Sequence, residues 1–349
     1  MKEHIWLKRI LYISLILIFL GGYKAYRLYH KAFAANIFTP DKKEMFLYIP
    51  TGSDYDAVMN ILRDMSVVKN MDWLEWTAEK KNYGAHVNAG KYRLRNRMSS
   101  NALINILRSG RQFPVKLTFN NIRTLDDLAD KIAEQLEPDA DTLLKVMHSP
   151  EIQKKYGFND NTIISMFIPN TYEFFWNTSP EQFMERMNRE YNAFWTDKRE
   201  FEAQKAGLSK TEVITLASIV NEETQSNEEK PRIAGVYINR LNRGMRLQAD
   251  PTVVFALGDF TIQRVWSKHY ESLDSPYNTY KHAGLPPGPI CIPEISSIDA
   301  VLNYEKNNYL YFCAKPDFSG KHNFARTLDE HNRNAALYRR ELNKRRIYR

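Results

Sequence analysis

Cysteine is scarce in this sequence, and the short motifs of several common enzyme classes are absent. Only Cys291 and Cys313 occur among 349 residues, and neither lies in a CxxC spacing, so neither a cysteine-based metal site nor a disulfide framework is indicated. No H-x-x-x-H or HExxH spacing, G-x-S-x-G motif, phosphate-binding glycine loop or dinucleotide fingerprint is present. The chemistry that remains is acid/base chemistry by carboxyl groups.

The formal charge of +8 is concentrated at the two ends of the chain. Residues 1–31 contain six Lys and Arg against Glu3, which gives +5, and residues 333–349 contain seven against Glu341, which gives +6. Residues 32–332 therefore sum to about −3. Because the bulk of the chain has no excess of positive charge, nucleic-acid binding is not indicated.

The sequence has one long apolar run, at residues 10–23, with basic residues on both flanks. Neighbouring aromatic and aliphatic residues extend it to a predicted transmembrane anchor at 10–29, after a short N-terminal segment at 1–9. A cleaved signal peptide is the alternative, because residues 32–34 have the A-x-A form. That site lies well beyond the apolar run, so an uncleaved anchor is favoured. No second apolar run follows, and everything after residue 31 should lie on one side of the membrane.

A tether at 30–43 precedes a region of short strand–helix units, which favours a small α+β module. Each unit pairs a predicted strand with a predicted helix start: residues 46–48 with Ser53, residues 91–94 with Ser99, and residues 115–119 with Thr124. Residues 71–80 predict a further helix. Such units suit a binding module near the membrane, and they would equally suit a structural spacer.

A predicted helix further along the chain carries the strongest catalytic candidate, Glu223. Ser209 and Glu212 form a capping-box pattern, and apolar residues recur at helical spacing after it. At about 100° per residue, Glu223 falls about 70° from the middle of the apolar side, while Glu222 falls nearly opposite it. A carboxyl group partly embedded in apolar surroundings should have a raised pKa, as a general acid needs near neutral pH. The alternative is an ordinary boundary glutamate.

Irregular segments supply candidate binding groups around such an acid. Amides, tyrosines and a few charged groups beside aromatic rings are typical of a carbohydrate cleft. The candidates are Tyr172, Gln248, Asp250, Asn278, Tyr280, His322 and Asn323. Taken alone, Asp250, which precedes Pro251, fits a helix cap better than a binding group. Taken alone, His282, His322 and His331 fit satisfied hydrogen-bonding residues better than metal ligands, because their spacing is not that of a metal site.

Several separated motifs together resemble those of the MltG/YceG-like family of endolytic murein (lytic) transglycosylases. They are the runs at 217–224, 236–241, 245–253 and 277–280, the turn at 284–290, and a late pattern that includes His322, Phe324 and His331. The family's catalytic glutamate falls on Glu223. The family often has another acidic residue two positions earlier, where this chain has Asn221, which argues against a mechanism that needs a second carboxylate there.

The resemblance implies an N-terminal membrane anchor, a LysM-like α+β module at 44–119 and a larger mixed α+β YceG-like catalytic domain at 120–349. The short N-terminus would be cytoplasmic, and the catalytic domain would lie outside the cytoplasmic membrane. Peptidoglycan glycan strands would be the substrate. Peptidoglycan synthases would be within reach as partners, and cutting nascent strands there would terminate their elongation.

The resemblance also implies a mechanism without metal or organic cofactor. Glu223 would protonate the MurNAc–GlcNAc bond and then accept a proton from the MurNAc C6 hydroxyl, giving a 1,6-anhydro-MurNAc end. Gln248, Asp250, Asn278 and Tyr280 would hold the sugar and orient Glu223. Two alternatives remain open. One is a peptidoglycan hydrolase in which Asp250 or Glu173 activates water, and the other is a non-catalytic wall-binding protein.

Overall fold

The computed structural model describes residues 2–120, 122–262 and 264–345 and confirms a mixed α+β chain. The chain forms two compact units. Unit 1 comprises Met1–Lys116 and Glu173–Thr178, and unit 2 comprises Leu117–Tyr172 and Ser179–Arg349. The predicted segments 1–9 and 120–349 each include residues outside the described ranges: Met1 in the first, and Asn121, Gln263 and residues 346–349 in the second.

The N-terminal helix α1 spans Lys2–Phe33, and its Ile5–Phe33 part is long and apolar enough to cross a membrane. Residues 30–43, predicted as a tether, are instead largely folded. The helix continues to Phe33, and Ala35–Ile37 forms strand β1. The physical reason is local packing, because Ile37 is fully buried and the Asn36 side chain donates to the backbone carbonyl of Asn70.

Unit 1 is built from short strands and helices around one apolar core. After β1 its elements are β2 (Met45–Ile49), α2 (Tyr55–Asp64), α3 (Met71–Lys80), β3 (Gly90–Leu94), β4 (Met98–Ser99) and α4 (Ser100–Ser109). Strands β2 and β3 pair antiparallel, as do β1 and β4. Helices α2 and α3 lie between β2 and β3 in the chain, so these four elements follow the order strand–helix–helix–strand. The core of unit 1 includes the fully buried side chains of Leu47, Leu62, Leu74 and Leu103.

The predicted helix starts of this region are mostly confirmed. Ser99 caps α4 and Thr124 caps the helix after the third strand, each accepting a backbone N–H. The first start was wrong by one position, because Asp54 rather than Ser53 caps α2 and accepts the N–H of Ala57 at 2.8 Å. Neighbouring Asp and Ser both suit an N-cap, and only the backbone geometry decides between them.

The chain continues through one strand pair and five helices before it reaches the central helix of unit 2. These elements are β5 (Val115–Phe119), α5 (Leu125–Ala133), α6 (Ala140–Met147), α7 (Pro150–Tyr156), β6 (Asn170–Phe174), α8 (Pro180–Phe194) and α9 (Asp197–Lys205). Strand β5 pairs with β6. Strand β6 begins directly after Pro169.

The remaining elements surround helix α10 (Lys210–Glu223). They are α11 (Lys230–Asn242), α12 (Asp250–Leu257), α13 (Ser267–Glu271), α14 (Ile295–Leu302), the antiparallel pair β7 (Tyr311–Ala314) and β8 (His322–Ala325), and α15 (Leu328–Lys344). Helices α9, α11, α12 and α14 all contact α10. Every residue from Val213 to Asn221 is consequently buried, whereas the sequence pattern predicted one buried side only.

Candidate active site

Two cavities of about 250 and 390 Å³ meet at the C-terminal end of α10, and Glu223 and Asp250 line both of them. The smaller one, the Phe260 lobe, is lined further by Arg123, Glu222, Pro251, Val254, Phe255, Phe260, Ile262, Val265 and Ile290. The larger one, the Arg240 lobe, is lined among others by Tyr237, Arg240, Gln248, Tyr280, Tyr311, His322 and His331. A single cleft with two lobes thus has Glu223 at its junction.

Local sequence signals position Glu223 at this junction. The capping box of Ser209 and Glu212 is confirmed, since each side chain accepts the other residue's backbone N–H. Helix α10 then ends at Glu223, because Thr224 is buried in an extended conformation. The carboxyl group therefore projects from the last turn of a buried helix and is itself half-buried.

A hydrogen bond from the next helix fixes one oxygen of this carboxyl group. The hydroxyl of Tyr237 donates to Oε1 of Glu223 at 2.6 Å. Tyr237 is only 2% exposed, and its ring packs edge-on against Phe312. Burial and the neighbouring Glu223 raise the pKa of Tyr237 well above its usual value, so the phenol keeps its proton and acts as a donor.

Opposing effects set the pKa of Glu223, which is raised to about 7. Burial is the largest cause, and the nearby charges of Asp250 and Glu222 act in the same direction. The Tyr237 hydrogen bond and the charge of Arg240 favour the carboxylate and lower the pKa. A carboxyl group with a pKa near 7 is able both to donate and to accept a proton at neutral pH.

Arg240 lies one turn beyond Tyr237 on α11, and its side chain is 7% exposed. Its guanidinium donates to backbone carbonyls, from Nε to Leu310 and from Nη1 to Arg246 and Leu247, and also to the side-chain oxygen of Gln248. These acceptors are neutral. Within the described ranges, no carboxylate lies within ion-pair distance of Arg240.

A second polar pair stands at the rim of the cleft. The hydroxyl of Tyr280 donates to Oδ1 of Asp250 at 2.5 Å, and the Tyr280 ring stacks on Tyr270 with 4.1 Å between centroids. Burial is the largest cause of an upward shift in the pKa of Asp250, although part of its side chain is exposed to solvent, which limits the effect. Asp250 is not the helix cap that the sequence predicts. Its side chain makes no capping hydrogen bond, and Ala249 occupies the cap position.

The predicted site residues divide into two groups. Gln248, Asp250, Tyr280 and His322 line the Arg240 lobe together with Glu223. Gln248 has a positive φ of 52°, and its backbone N–H donates to the carbonyl of Thr279. His322 contacts Glu229 through Nδ1 at 3.1 Å.

The other predicted residues do not line either lobe, and each has a structural position. Asn278 is fully buried and donates to the carbonyls of Tyr270 and Leu273, so it shapes the loop that carries Tyr280. Tyr172 is 4% exposed and donates to the carbonyl of Ile168. Asn323 neighbours His322 on β8, where alternate side chains point to opposite faces. Glu173 is an exposed residue of β6 and of unit 1.

The predicted site residues do not include Tyr237 or Arg240, although both lie in the motif at 236–241. Two signals were available. A tyrosine in a buried stripe needs a partner for its hydroxyl, and an arginine three residues later on the same helix faces the same side. Arg123 was also missed. It forms an ion pair with Glu222 at 3.0 Å, and its guanidinium lies over the Phe260 ring.

The cysteines and the other residue types that commonly bind metals do not come together in one site among the described residues. Cys291 and Cys313 are free thiols, the first buried. Across the described residues, no three His, Cys, Asp or Glu side chains are grouped so that they could hold a metal ion. Asn221, two positions before Glu223, is buried, and its Oδ1 accepts from the Glu294 backbone and the Ser297 hydroxyl. It ties α10 to α14.

The sequence profile of the YceG-like family matches residues 47–337. The chain belongs to the YceG-like family. The resemblance drawn from the separated motifs is therefore confirmed, and the match includes every residue described above as lining the two lobes.

Relatives and a solved structure agree with this membership. An endolytic murein transglycosylase of Bacillus subtilis is 32% identical over 328 residues, covering 89% of each chain. An endolytic murein transglycosylase of Streptococcus pneumoniae is 28% identical over 358 residues, and the alignment covers 93% of this chain and 63% of the pneumococcal protein. The crystal structure of a YceG-like protein from Listeria monocytogenes matches with a TM-score of 0.55 at 33% identity, covering 84% of this chain and 99% of that one.

Proposed function

We propose that this YceG-like protein is an endolytic murein transglycosylase that cleaves MurNAc–GlcNAc bonds in peptidoglycan. The observation that carries the proposal is Glu223 at the junction of a two-lobed cleft, with a pKa raised to about 7 and one oxygen fixed by Tyr237. The names of the Bacillus and Streptococcus relatives support the reaction class. A cleft that continues on both sides of the acid suits cleavage within a strand, because sugars must be bound on both sides of the broken bond.

In the first step, protonated Glu223 gives its proton to the glycosidic oxygen. The bond between the MurNAc anomeric carbon and that oxygen breaks, the GlcNAc side leaves as an alcohol, and positive charge develops at the anomeric carbon. The raised pKa of Glu223 supplies the acid form near neutral pH. Tyr237 occupies Oε1, which leaves Oε2 as the oxygen that carries the proton toward the substrate.

In the second step, the Glu223 carboxylate takes the proton of the MurNAc C6 hydroxyl, and that oxygen bonds to the anomeric carbon. The product is a 1,6-anhydro-MurNAc end, no water is consumed, and Glu223 returns to its acid form. An internal nucleophile needs no second carboxylate to activate water, and holding the hydroxyl close supplies much of the rate. In this scheme Gln248, Asp250 and Tyr280 hold the sugar at the rim, and Asn278 acts through the loop that it shapes.

The N-terminal helix supports a location at the cytoplasmic membrane. Its Ile5–Phe33 part has the length and composition of a single span, and the large side chains along it are exposed. In this proposal unit 2 lies on the outer side, close to nascent glycan strands, where cleavage would terminate their elongation. Peptidoglycan synthases would be neighbours there. The strand–helix–helix–strand order of β2, α2, α3 and β3 supports a LysM-like glycan-binding role for unit 1.

Product analysis tests the proposed function. The full chain in detergent, wild type and Glu223→Gln, is incubated with purified peptidoglycan, and the fragments are analysed by mass spectrometry. Internal fragments with anhydro-MurNAc ends from the wild type, absent with the variant, are the expected result. Reducing ends, one water heavier, would instead indicate a hydrolase, in which a carboxylate such as Asp250 or Glu173 activates water. Anhydro ends from both proteins would refute the assignment of Glu223, and intact strands with both would favour a binding protein.

A further inference from the structure

We infer that Arg240 is a positioning residue that supplies the counter-charge for Glu223 during the interval in which Glu223 is a carboxylate. The inference rests on the proposed function, in which one carboxyl group acts first as acid and then as base. It assigns a role to a second residue of the motif at 236–241, in addition to Tyr237. Arg240 contacts neither the broken bond nor the transferred proton, and it acts through its charge.

The first observation is that a charged group is buried without a counter-ion. Arg240 is 7% exposed, and its hydrogen bonds go to three backbone carbonyls and one amide oxygen. Burying a cation with neutral partners alone is costly, and it is usually offset by a nearby opposite charge. While Glu223 is protonated, as the first step of the proposed reaction requires, that opposite charge is missing. It appears at Glu223 once the proton has been donated.

The second observation is that the guanidinium is held rigidly and faces the cleft. Nε and Nη1 make all of the described hydrogen bonds of Arg240, while Nη2 makes none to a described residue. The Tyr311 ring lies 5.1 Å from the guanidinium, and Arg240 lines the same lobe as Glu223. A charge that is already fixed in place needs no reorganisation when the carboxylate forms, which is the condition for effective electrostatic stabilisation.

Helix α11 carries Tyr237 and Arg240, the two groups that favour the ionised form of Glu223. Tyr237 and Arg240 are three residues apart, so they lie on the same face of the helix. Tyr237 acts by a direct hydrogen bond, and Arg240 acts by charge at longer range. Asn239, between them, points elsewhere and donates to the carbonyls of Asn307 and Tyr309, which anchors the helix.

Other charged and titratable groups around Glu223 oppose Arg240 or are already paired. Asp250 on α12 and Glu222 on α10 both disfavour the carboxylate. Glu222 is paired with Arg123, Asp250 accepts from Tyr280, and His322 contacts Glu229. His331 on α15 also faces the Arg240 lobe, and burial and the charges of Arg240 and Arg339 lower its pKa, which favours its neutral form. Among the described groups that line this lobe, Arg240 is therefore the fixed cation.

The test separates charge from hydrogen bonding at position 240. Arg240→Gln removes the charge, and Arg240→Lys keeps it, while both lose the forked hydrogen-bond geometry. Arg246→Gln is the matched control, because Arg246 is an exposed arginine that donates to the Tyr280 carbonyl and lines neither lobe. The full chain of each variant is purified in detergent, and the melting temperature confirms folding before kinetics are measured on uncrosslinked glycan strands.

We expect Arg240→Gln to lower kcat at least about tenfold and to move the basic limb of the pH–rate profile upward by about one pH unit. The sign follows because removing a cation disfavours the carboxylate, so the acid form persists to higher pH. Arg240→Lys should keep kcat within about threefold of the wild-type value and leave the basic limb of the pH–rate profile unmoved. The same is expected for Arg246→Gln. An unmoved limb in Arg240→Gln, or an equal shift in Arg240→Lys, would overturn the inference. A rise confined to KM in Arg240→Gln would also overturn it, in favour of substrate binding.

A second readout does not depend on catalysis. Infrared difference spectra, referenced to Glu223→Gln, follow the protonated Glu223 carboxyl band with pH in wild type and Arg240→Gln. An upward shift of its titration in Arg240→Gln supports the inference, and coincident titrations contradict it. If the wild type makes no anhydro ends, the proposed function fails, while this titration still decides whether Arg240 controls the charge of Glu223.

Discussion

Tyr237 and Glu223 form the central contact of the cleft, a 2.6 Å hydrogen bond from a buried phenol to Oε1 of the carboxyl group. The two residues come from the end of α10 and the middle of α11, fourteen positions apart. The bond both orients the carboxyl group and favours its ionised form. Four predictions concern this contact and its surroundings.

Removing the phenol hydroxyl should raise the pKa of Glu223. In Tyr237→Phe the carboxylate loses a hydrogen bond, which is worth about 1.5–3 kcal/mol for a charged acceptor. Because the reaction needs the acid form, the basic limb of the pH–rate profile should move upward by about one pH unit. We also expect kcat to fall about tenfold, because the carboxyl group is less well oriented. A pH–rate profile on glycan strands measures both effects.

Tyr311→Phe is the control for this prediction, since it removes a hydroxyl from the same lobe without touching Glu223. Its basic limb should coincide with that of the wild type. A Tyr237→Phe limb that moves downward, or one that coincides with the wild type, would contradict the role given to the hydrogen bond.

The raised pKa of Glu223 predicts a pH-dependent stability. The folded protein binds this proton more tightly than the unfolded chain, so the contribution of Glu223 to stability is fully present below pH 4.5 and is lost as the pH rises to about 7. At 1.36 kcal/mol per unit, the loss is about 3 kcal/mol at most. Glu223→Gln, which cannot ionise, should therefore be stabilised relative to wild type more at pH 8 than at pH 5.

Chemical unfolding of both proteins in detergent at the two pH values gives this difference. Glu212→Gln is a control, because Glu212 lies on the same helix in an exposed capping position. An equal stability difference at pH 5 and pH 8 for Glu223→Gln would show that Glu223 has an ordinary pKa.

Asp250 and Tyr280 should behave as one unit, because they share a short hydrogen bond at the rim of the cleft. Tyr280→Phe and Asp250→Asn should each lower kcat/KM about tenfold, and the double variant should be little worse than either single one. A coupling energy of about 1–2 kcal/mol in the double-mutant cycle would express this. Additive effects, with the double variant about a hundredfold down, would mean that the two side chains act on the substrate separately.

Asn221 should matter for stability more than for catalysis. Asn221→Ala leaves the buried Ser297 hydroxyl and the Glu294 N–H without their acceptor, which should cost about 2 kcal/mol in the free energy of unfolding. The folded variant should keep kcat within about threefold of wild type. Denaturant unfolding and kinetics at a temperature well below the melting point separate the two effects. A loss of kcat as large as that of Glu223→Gln would place Asn221 in the reaction itself.

Several elements could be predicted because their causes lie within a few residues. The apolar run near the N-terminus predicts a long helix, and α1 is one. Ser209 and Glu212 predict the start of α10, since a capping box needs only residues three apart. The burial of α10 on all sides was not predictable, because it depends on which helices pack around it.

The sequence alone determined that the chain carries an N-terminal apolar helix, a mixed α+β remainder and a helix that starts at the Ser209 capping box and carries Glu223 beside its apolar side, all consequences of short-range periodicity and capping. Only the tertiary structure decided which side chains meet that glutamate. Tyr237 reaches it across 14 positions, Asp250 meets Tyr280 across 30, and Asn278 turns into the loop rather than toward the cleft. Such contacts depend on how helices pack and loops close, and a local pattern of residues does not contain that information.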